Sequence, residues 1–155
     1  MIRRMAIAAL SLITGLVALY LHLYKLGVIG SLSCSTGGCE RAMFSRWGWF
    51  LGVDVALIGV IGYSLLLVTS LLSLQPRWQA DRWPVTALLV LGLIGFVFTL
   101  RLKYGEFFVL HTFCPWCAIS AVAITIITVL ATIEWRVSAR AVARISSAAR
   151  PGSGG

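Results

Sequence analysis

The chain has 155 residues, 59% of them hydrophobic and only 12% charged, with a net charge of +8. About a quarter of an ordinary soluble domain is charged, and no soluble core of this length could hide so much apolar surface, so the solvent for most of this chain is lipid. The thirteen basic residues stand mainly at the ends of apolar runs, not in patches interleaved with polar readout residues, which argues against nucleic acid as a partner.

The first apolar run, Met5 to Tyr24, carries no formal charge and follows Arg3 and Arg4. It is longer than a signal-peptide core of about 7–15 residues, and no small-residue cleavage site follows it, so it reads as a retained span. Val55 to Leu74 is the second run, closed by Gln75-Pro76-Arg77. Val85 to Leu100 is the third and approaches spanning length once Trp83 and Pro84 are added; Arg101 and Lys103 close it. The fourth, Phe113 to Ile133, runs into Glu134-Trp135-Arg136. Each is near the roughly 20 residues that cross a hydrocarbon core. Four such runs cannot close a barrel, and every backbone polar group must be paired within lipid, so the spans are helices.

With the N-terminus cytoplasmic, the inner segments hold Arg3, Arg4, Arg77, Arg82, Arg136, Arg140, Arg144 and Arg150, and the outer ones only Lys25, Arg41, Arg46, Arg101 and Lys103. That bias favours both termini inside. The expected fold is an all-α membrane protein, a four-transmembrane-helix bundle. Residues 1–136 form the membrane domain, and residues 137–155 a basic, flexible cytoplasmic tail ending in a linker-like Gly/Ser stretch.

The four cysteines form two pairs. Cys34 and Cys39 flank Ser-Thr-Gly-Gly between the first and second spans, and Cys114-Pro-Trp-Cys117 opens the fourth. Two spans separate the pairs, so both reach the same membrane face, which the charge bias makes the outer one, where disulfides persist. A thiol at a helix N-terminus meets unpaired N–H groups and the positive end of the dipole, which favours the thiolate, and Pro115 suits a first helical turn. A fixed pair near lipid and a second pair on a Gly-containing segment make a relay by thiol–disulfide exchange. Two static disulfides, or a tetrathiolate metal site, remain as alternatives at this point.

The runs Cys34-Ser-Thr-Gly-Gly-Cys39-Glu-Arg-Ala-Met-Phe-Ser45-Arg-Trp-Gly, Gly59-Val-Ile-Gly-Tyr63 and Phe107-Phe-Val-Leu-His-Thr-Phe-Cys114-Pro-Trp-Cys117 resemble the vitamin K epoxide reductase family, above all its bacterial members. The resemblance implies a helix bundle around a quinone, capped on the extracytoplasmic side by a half-helix over Glu40 to Phe50, with Met43, Phe44 and Trp47 facing the pocket. It implies that Cys117 faces the quinone, Cys114 exchanges with Cys39 and Cys34 meets the partner, and that Ser45 hydrogen-bonds beside the reactive cysteines. Animal members carry a tyrosine and an asparagine where this chain has Ala121 and Val55, which favours a ubiquinone- or menaquinone-type acceptor over an epoxide.

Two further residues are candidates for the quinone pocket. Asp54 could place a charge at its edge, or be a solvated helix-start carboxylate; His111 could move protons, or be an interfacial polar residue. The resulting expectation is a quinone-dependent thiol–disulfide oxidoreductase of the bacterial inner membrane, taking electrons from a thioredoxin-like extracytoplasmic dithiol protein. A quinone-epoxide reductase and a cysteine-based metal-handling membrane protein are the competing readings. Quinone dependence separates the last from the other two.

Overall fold

The structure, a computed structural model, describes residues 1–30, 38–78 and 81–148. Four helices in it are long and apolar enough to cross a membrane: α1 (Ile2–Lys25), α3 (Val55–Leu74), α4 (Trp83–Tyr104) and α5 (Pro115–Ala148). The short helix α2 (Gly38–Phe44) lies between α1 and α3. Helix α1 packs on α3, α3 on α4, α4 on α5 and α5 on α1, so the four long helices close a ring. Their outward faces carry exposed Leu, Ile and Val, while Ile7, Ala18, Tyr63, Leu66, Leu88, Ile124, Ile127 and Ala131 form the core.

Within lipid, helix contacts rest on close packing and polar ties. A Cβ on Gly59 would stand 3.4 Å from that of Ala18, and one on Gly92 3.2 Å from the Thr128 hydroxyl. Gly62, which together with Gly59 reads in sequence as a site of close helix packing, has nothing within 4 Å of such a Cβ and opens onto the cavity described below. At the end of the bundle that holds the N-terminus, Glu134 accepts from Arg3 Nε and Arg4 Nε, each at 2.8 Å, and Arg4 also donates to the Ser73 carbonyl at 2.7 Å. These bonds join α1, α3 and α5.

The helix ends follow local chemistry. Gly27, at φ +77°, lets the chain turn off α1 with its N–H on the Tyr24 carbonyl. Pro76 follows α3, and Pro84 sits in the first turn of α4. Helix α5 does not stop at Ile133 but continues to Ala148. Residues 137–148, expected from composition to be a flexible tail, contain no Gly or Pro, and Arg82 donates to the Ala139 carbonyl at 3.1 Å.

The cap also differs from expectation. Its helix ends at Phe44 because Ser45 is extended, and a 3₁₀ turn over Arg46–Gly48 follows. The chain then forms a hairpin of β1 (Trp49–Phe50) and β2 (Val53–Asp54). Its turn residues Leu51 and Gly52 both have positive φ, +52° and +81°, as a tight two-residue hairpin requires. Gly48 is needed where it stands, since a Cβ there would overlap the Met43 carbonyl.

Candidate active site

The start of α5 is built on a cysteine. Cys114 is its N-cap: the Ala118 N–H reaches the Cys114 carbonyl at 3.0 Å, and the Cys117 N–H donates to Cys114 Sγ at 3.3 Å. The sulfur therefore occupies the place of a capping oxygen, on one of the helix's orphan donors. Cys114 is fully buried. The hydrogen bond from the Cys117 side chain is the strongest influence on its thiol; with the Cys117 N–H and the charge of Lys103, it outweighs burial and the opposing charge of Glu106. The Cys114 thiol is held below the ordinary thiol range.

Glu106 anchors the same spot from the other side. Helix α4 passes at Gly105 into a single π-helical turn, Gly105–Val109, a feature often found at functional sites. That turn brings Glu106, only 4% exposed, to the Cys114 N–H, which donates to Oε1. Lys103 Nζ donates to Oε2 at 2.6 Å. Gly105 itself lies under the Trp47 indole, with room for no side chain: a Cβ would come within 2.5 Å of the ring.

Beneath the cap lies an almost wholly apolar cavity of about 530 Å³. Its walls come from all four long helices, among them Leu21, Gly59, Gly62, Leu66, Ile94, Gly95 and Phe98, and Met43 and Trp47 of the cap also line it. The few polar groups include Cys117, Ser120, Tyr63, Glu106, Lys103 and Asp54. Tyr63 and Ser120 bond to each other at 2.7 Å, tying α3 to α5 one turn below Cys117. A large apolar volume with few polar groups is the usual form of a small-molecule site.

Asp54 closes the cavity near the cap. It caps α3 by accepting the Ala56 N–H at 3.1 Å, and it is 8% exposed, so it is not a solvated carboxylate. Lys25 Nζ donates to Oδ1 at 2.8 Å and His22 Nδ1 stands 2.7 Å from Oδ2. Burial opposes its ionisation, but the bonds from Lys25, His22 and the Ala56 N–H prevail and hold the carboxyl below its ordinary value. Lys25 also donates to the Gly48 carbonyl at 3.0 Å and lies 4.0 Å over the Trp49 ring. One lysine thus joins α1, the 3₁₀ turn, the hairpin and the start of α3.

The cap brings Cys39 to the start of α5. Gly38, the residue before Cys39, sits so close to the Phe113 carbonyl, the residue before Cys114, that a Cβ would overlap it. Cys39 is buried and disulfide-bonded, whereas Cys114 and Cys117 are free thiols. Tyr24 on α1 donates to Glu40 and holds α2 from below.

Residues 5–132 match the model of the vitamin K epoxide reductase family. The chain belongs to that family. It is a multi-pass membrane oxidoreductase, and the matched segment contains both cysteine pairs and every residue of the cavity wall.

Not every residue singled out in the sequence reaches the cavity. Cys117, Trp47 and Asp54 line it, and Cys114 and Cys39 stand buried beside it. Cys34 lies outside the described residues. Phe44 is 58% exposed and is not part of the lining, whereas the adjacent Met43 is buried and lines the cavity. The Ser45 hydroxyl donates to the Ala42 carbonyl at 2.8 Å, a local helix-end bond, and is not part of the wall. His111 is exposed, at φ +48°, in the link between the π turn and α5.

Conversely, Glu106 has no part in the sequence expectations, and Lys103 and Lys25 enter them only as topology charges. A signal for Glu106 existed. It is one of only five acidic residues and stands between two apolar runs, where an ionisable group is a functional candidate by default.

Proposed function

We propose that this family member is a quinone-dependent thiol–disulfide oxidoreductase that takes electrons from an extracytoplasmic thioredoxin-like dithiol protein. The observation that carries the reading is the position of the second cysteine pair: Cys117 opens on the apolar cavity, while Cys114, buried beside it, adjoins the segment that bears Cys39. One pair thereby meets a lipid-soluble acceptor on one side and a protein-borne disulfide on the other.

The partner's thiolate attacks the Cys34–Cys39 disulfide, and its second thiol releases the partner oxidised. The Cys39 thiolate then attacks Cys114 Sγ of a Cys114–Cys117 disulfide and frees Cys117. Cys34 attacks Cys39 in the resulting mixed disulfide, which restores the loop disulfide and leaves Cys114 and Cys117 reduced. A disulfide at Cys39 with free Cys114 and Cys117 corresponds to that last state. A quinone in the cavity supplies an acceptor for two electrons and two protons. The apolar wall suits its ring and tail, and the polar groups near the cap, Lys103, Glu106 and Asp54, suit its oxygens. The charge bias of the loops supports an outer-face location for the cysteines, in a bacterial inner membrane on this reading.

Anaerobic reduction of a short-chain ubiquinone analogue by reduced thioredoxin tests the proposal. Wild type turns over, and Cys34→Ala, Cys39→Ala, Cys114→Ala and Cys117→Ala each fall to background. Quinone left untouched by the wild-type protein would refute it.

A further inference from the structure

The thiol-to-acceptor step moves protons as well as electrons, and the cavity contains a side chain placed to hold one. We propose that Glu106, paired with Lys103, is the proton carrier between the Cys114–Cys117 dithiol and the bound acceptor. The inference rests on the quinone-linked reading above and assigns a residue that the relay itself leaves unused.

Four observations support it. Glu106 is almost completely buried, in a span where an ionisable group needs a reason. Its carboxylate meets the backbone of the reactive pair, accepting the Cys114 N–H on Oε1. Its other oxygen is held by Lys103 Nζ at 2.6 Å, and that ammonium in turn lies 5.6 and 5.9 Å from the Phe107 and Phe113 ring centres. Both members of the pair line the same cavity as Cys117. The π turn that interrupts α4 at Gly105 positions the carboxylate there.

The proton balance is as follows. Oxidation of two thiols to a disulfide breaks two S–H bonds, forms one S–S bond and releases two electrons and two protons. The acceptor takes up two of each. When Cys114 ionises, its proton passes to the Glu106 carboxylate; the thiolate then faces Lys103 and a neutral acid instead of a carboxylate. As the S–S bond forms, that proton passes to one acceptor oxygen, and the Cys117 thiol proton passes to the other. Glu106 returns to its ion pair with Lys103, so the site is unchanged after each turnover. The charged and titratable groups facing Glu106 are Lys103 on its own helix and Cys114 and Cys117 on α5; across the cavity stands Asp54 with Lys25 and His22.

Glu106→Gln tests this, because the amide can still accept the Cys114 N–H but carries no proton. Full-length protein in lipid nanodiscs, with Cys114 and Cys117 reduced, is mixed anaerobically with decylubiquinone in a single turnover. In Glu106→Gln, oxidation of the pair slows by about 100-fold, the scale of a lost general acid–base group. Its residual rate shows a larger solvent deuterium isotope effect than wild type. The rate at which reduced thioredoxin opens the Cys39 disulfide stays unchanged. An oxidation rate within twofold of wild type overturns the proposal. So does a slower rate with an unaltered isotope effect, which would make Glu106 a structural prop. If wild type itself leaves decylubiquinone unreduced, the quinone-linked reading fails as a whole, a result distinct from either.

Discussion

Gly38 rests on the Phe113 carbonyl with no space for a side chain, and this contact holds the segment that bears Cys39 against the start of α5. The residues that follow in each segment are Cys39 and Cys114, both fully buried. Gly38→Ala must push the cap helix off the start of α5. Overpacking against backbone costs about 1–3 kcal/mol; spent on separating the two cysteines, that equals roughly a 5- to 150-fold loss of exchange rate. Turnover with reduced thioredoxin should fall on that scale, while direct oxidation of Cys114 and Cys117 by a quinone analogue should not. Equal loss in both assays would mean that the contact only stabilises the fold.

A second expectation concerns the Cys114 thiol. The side chain of Cys117 is the largest influence holding it below the ordinary thiol range. In Cys117→Ala that influence is gone and only the backbone N–H remains, so the Cys114 thiolate should form at higher pH than in wild type. A pH titration of thiolate ultraviolet absorbance measures this. An unmoved midpoint would assign the effect to the helix start alone.

Asp54 gives a stability prediction with a definite sign. Its folded-state carboxyl ionises more readily than an ordinary one. The stabilisation is therefore complete above the unfolded value of about 3.9 and is lost as pH falls through the lower, folded value. Asp54→Asn leaves the buried Lys25 ammonium without its counter-charge and removes this acid limb. Breaking one side of such a pair costs about 3–5 kcal/mol. Thermal unfolding in detergent at neutral pH should show a clear drop in midpoint, shrinking as the wild type is acidified. A neutral-pH midpoint equal to wild type would remove Asp54 from the structural account.

The roof of the cavity depends on Gly105. Alanine there would meet the Trp47 ring at 2.5 Å, and Arg101, 5.2 Å from that ring, would be displaced with it. Gly105→Ala should raise the KM for a quinone analogue several-fold with less effect on thioredoxin-driven opening of the loop disulfide. Steady-state kinetics varying each substrate separately would reveal the split.

Much of this site is legible in the sequence because its signals are local. The four spans stand out as uncharged runs, and α3 occupies Val55–Leu74 as those runs imply. The position of Cys114-Pro-Trp-Cys117 at a helix start follows from the onset of the fourth apolar run together with proline chemistry. What the sequence conceals is tertiary. Glu106 and Lys103 look like charges ending a span until the π turn at Gly105 directs the carboxylate to Cys114. Lys25, His22 and Asp54 come from segments about thirty residues apart. Phe44 and Met43 are adjacent and both strongly apolar, and only the packing of α2 on the bundle decides which of them faces the cavity.

The most direct measurement is a stoichiometric one. The protein is reduced, freed of reductant without oxygen, and titrated with a quinone analogue while thiols are counted by mass spectrometry. One quinone should be reduced for each disulfide formed in either pair, and none in Cys117→Ala, whose cavity-facing sulfur is missing. If quinone is not consumed, or if Cys117→Ala consumes as much as wild type, the cavity is not where this cysteine pair delivers its electrons.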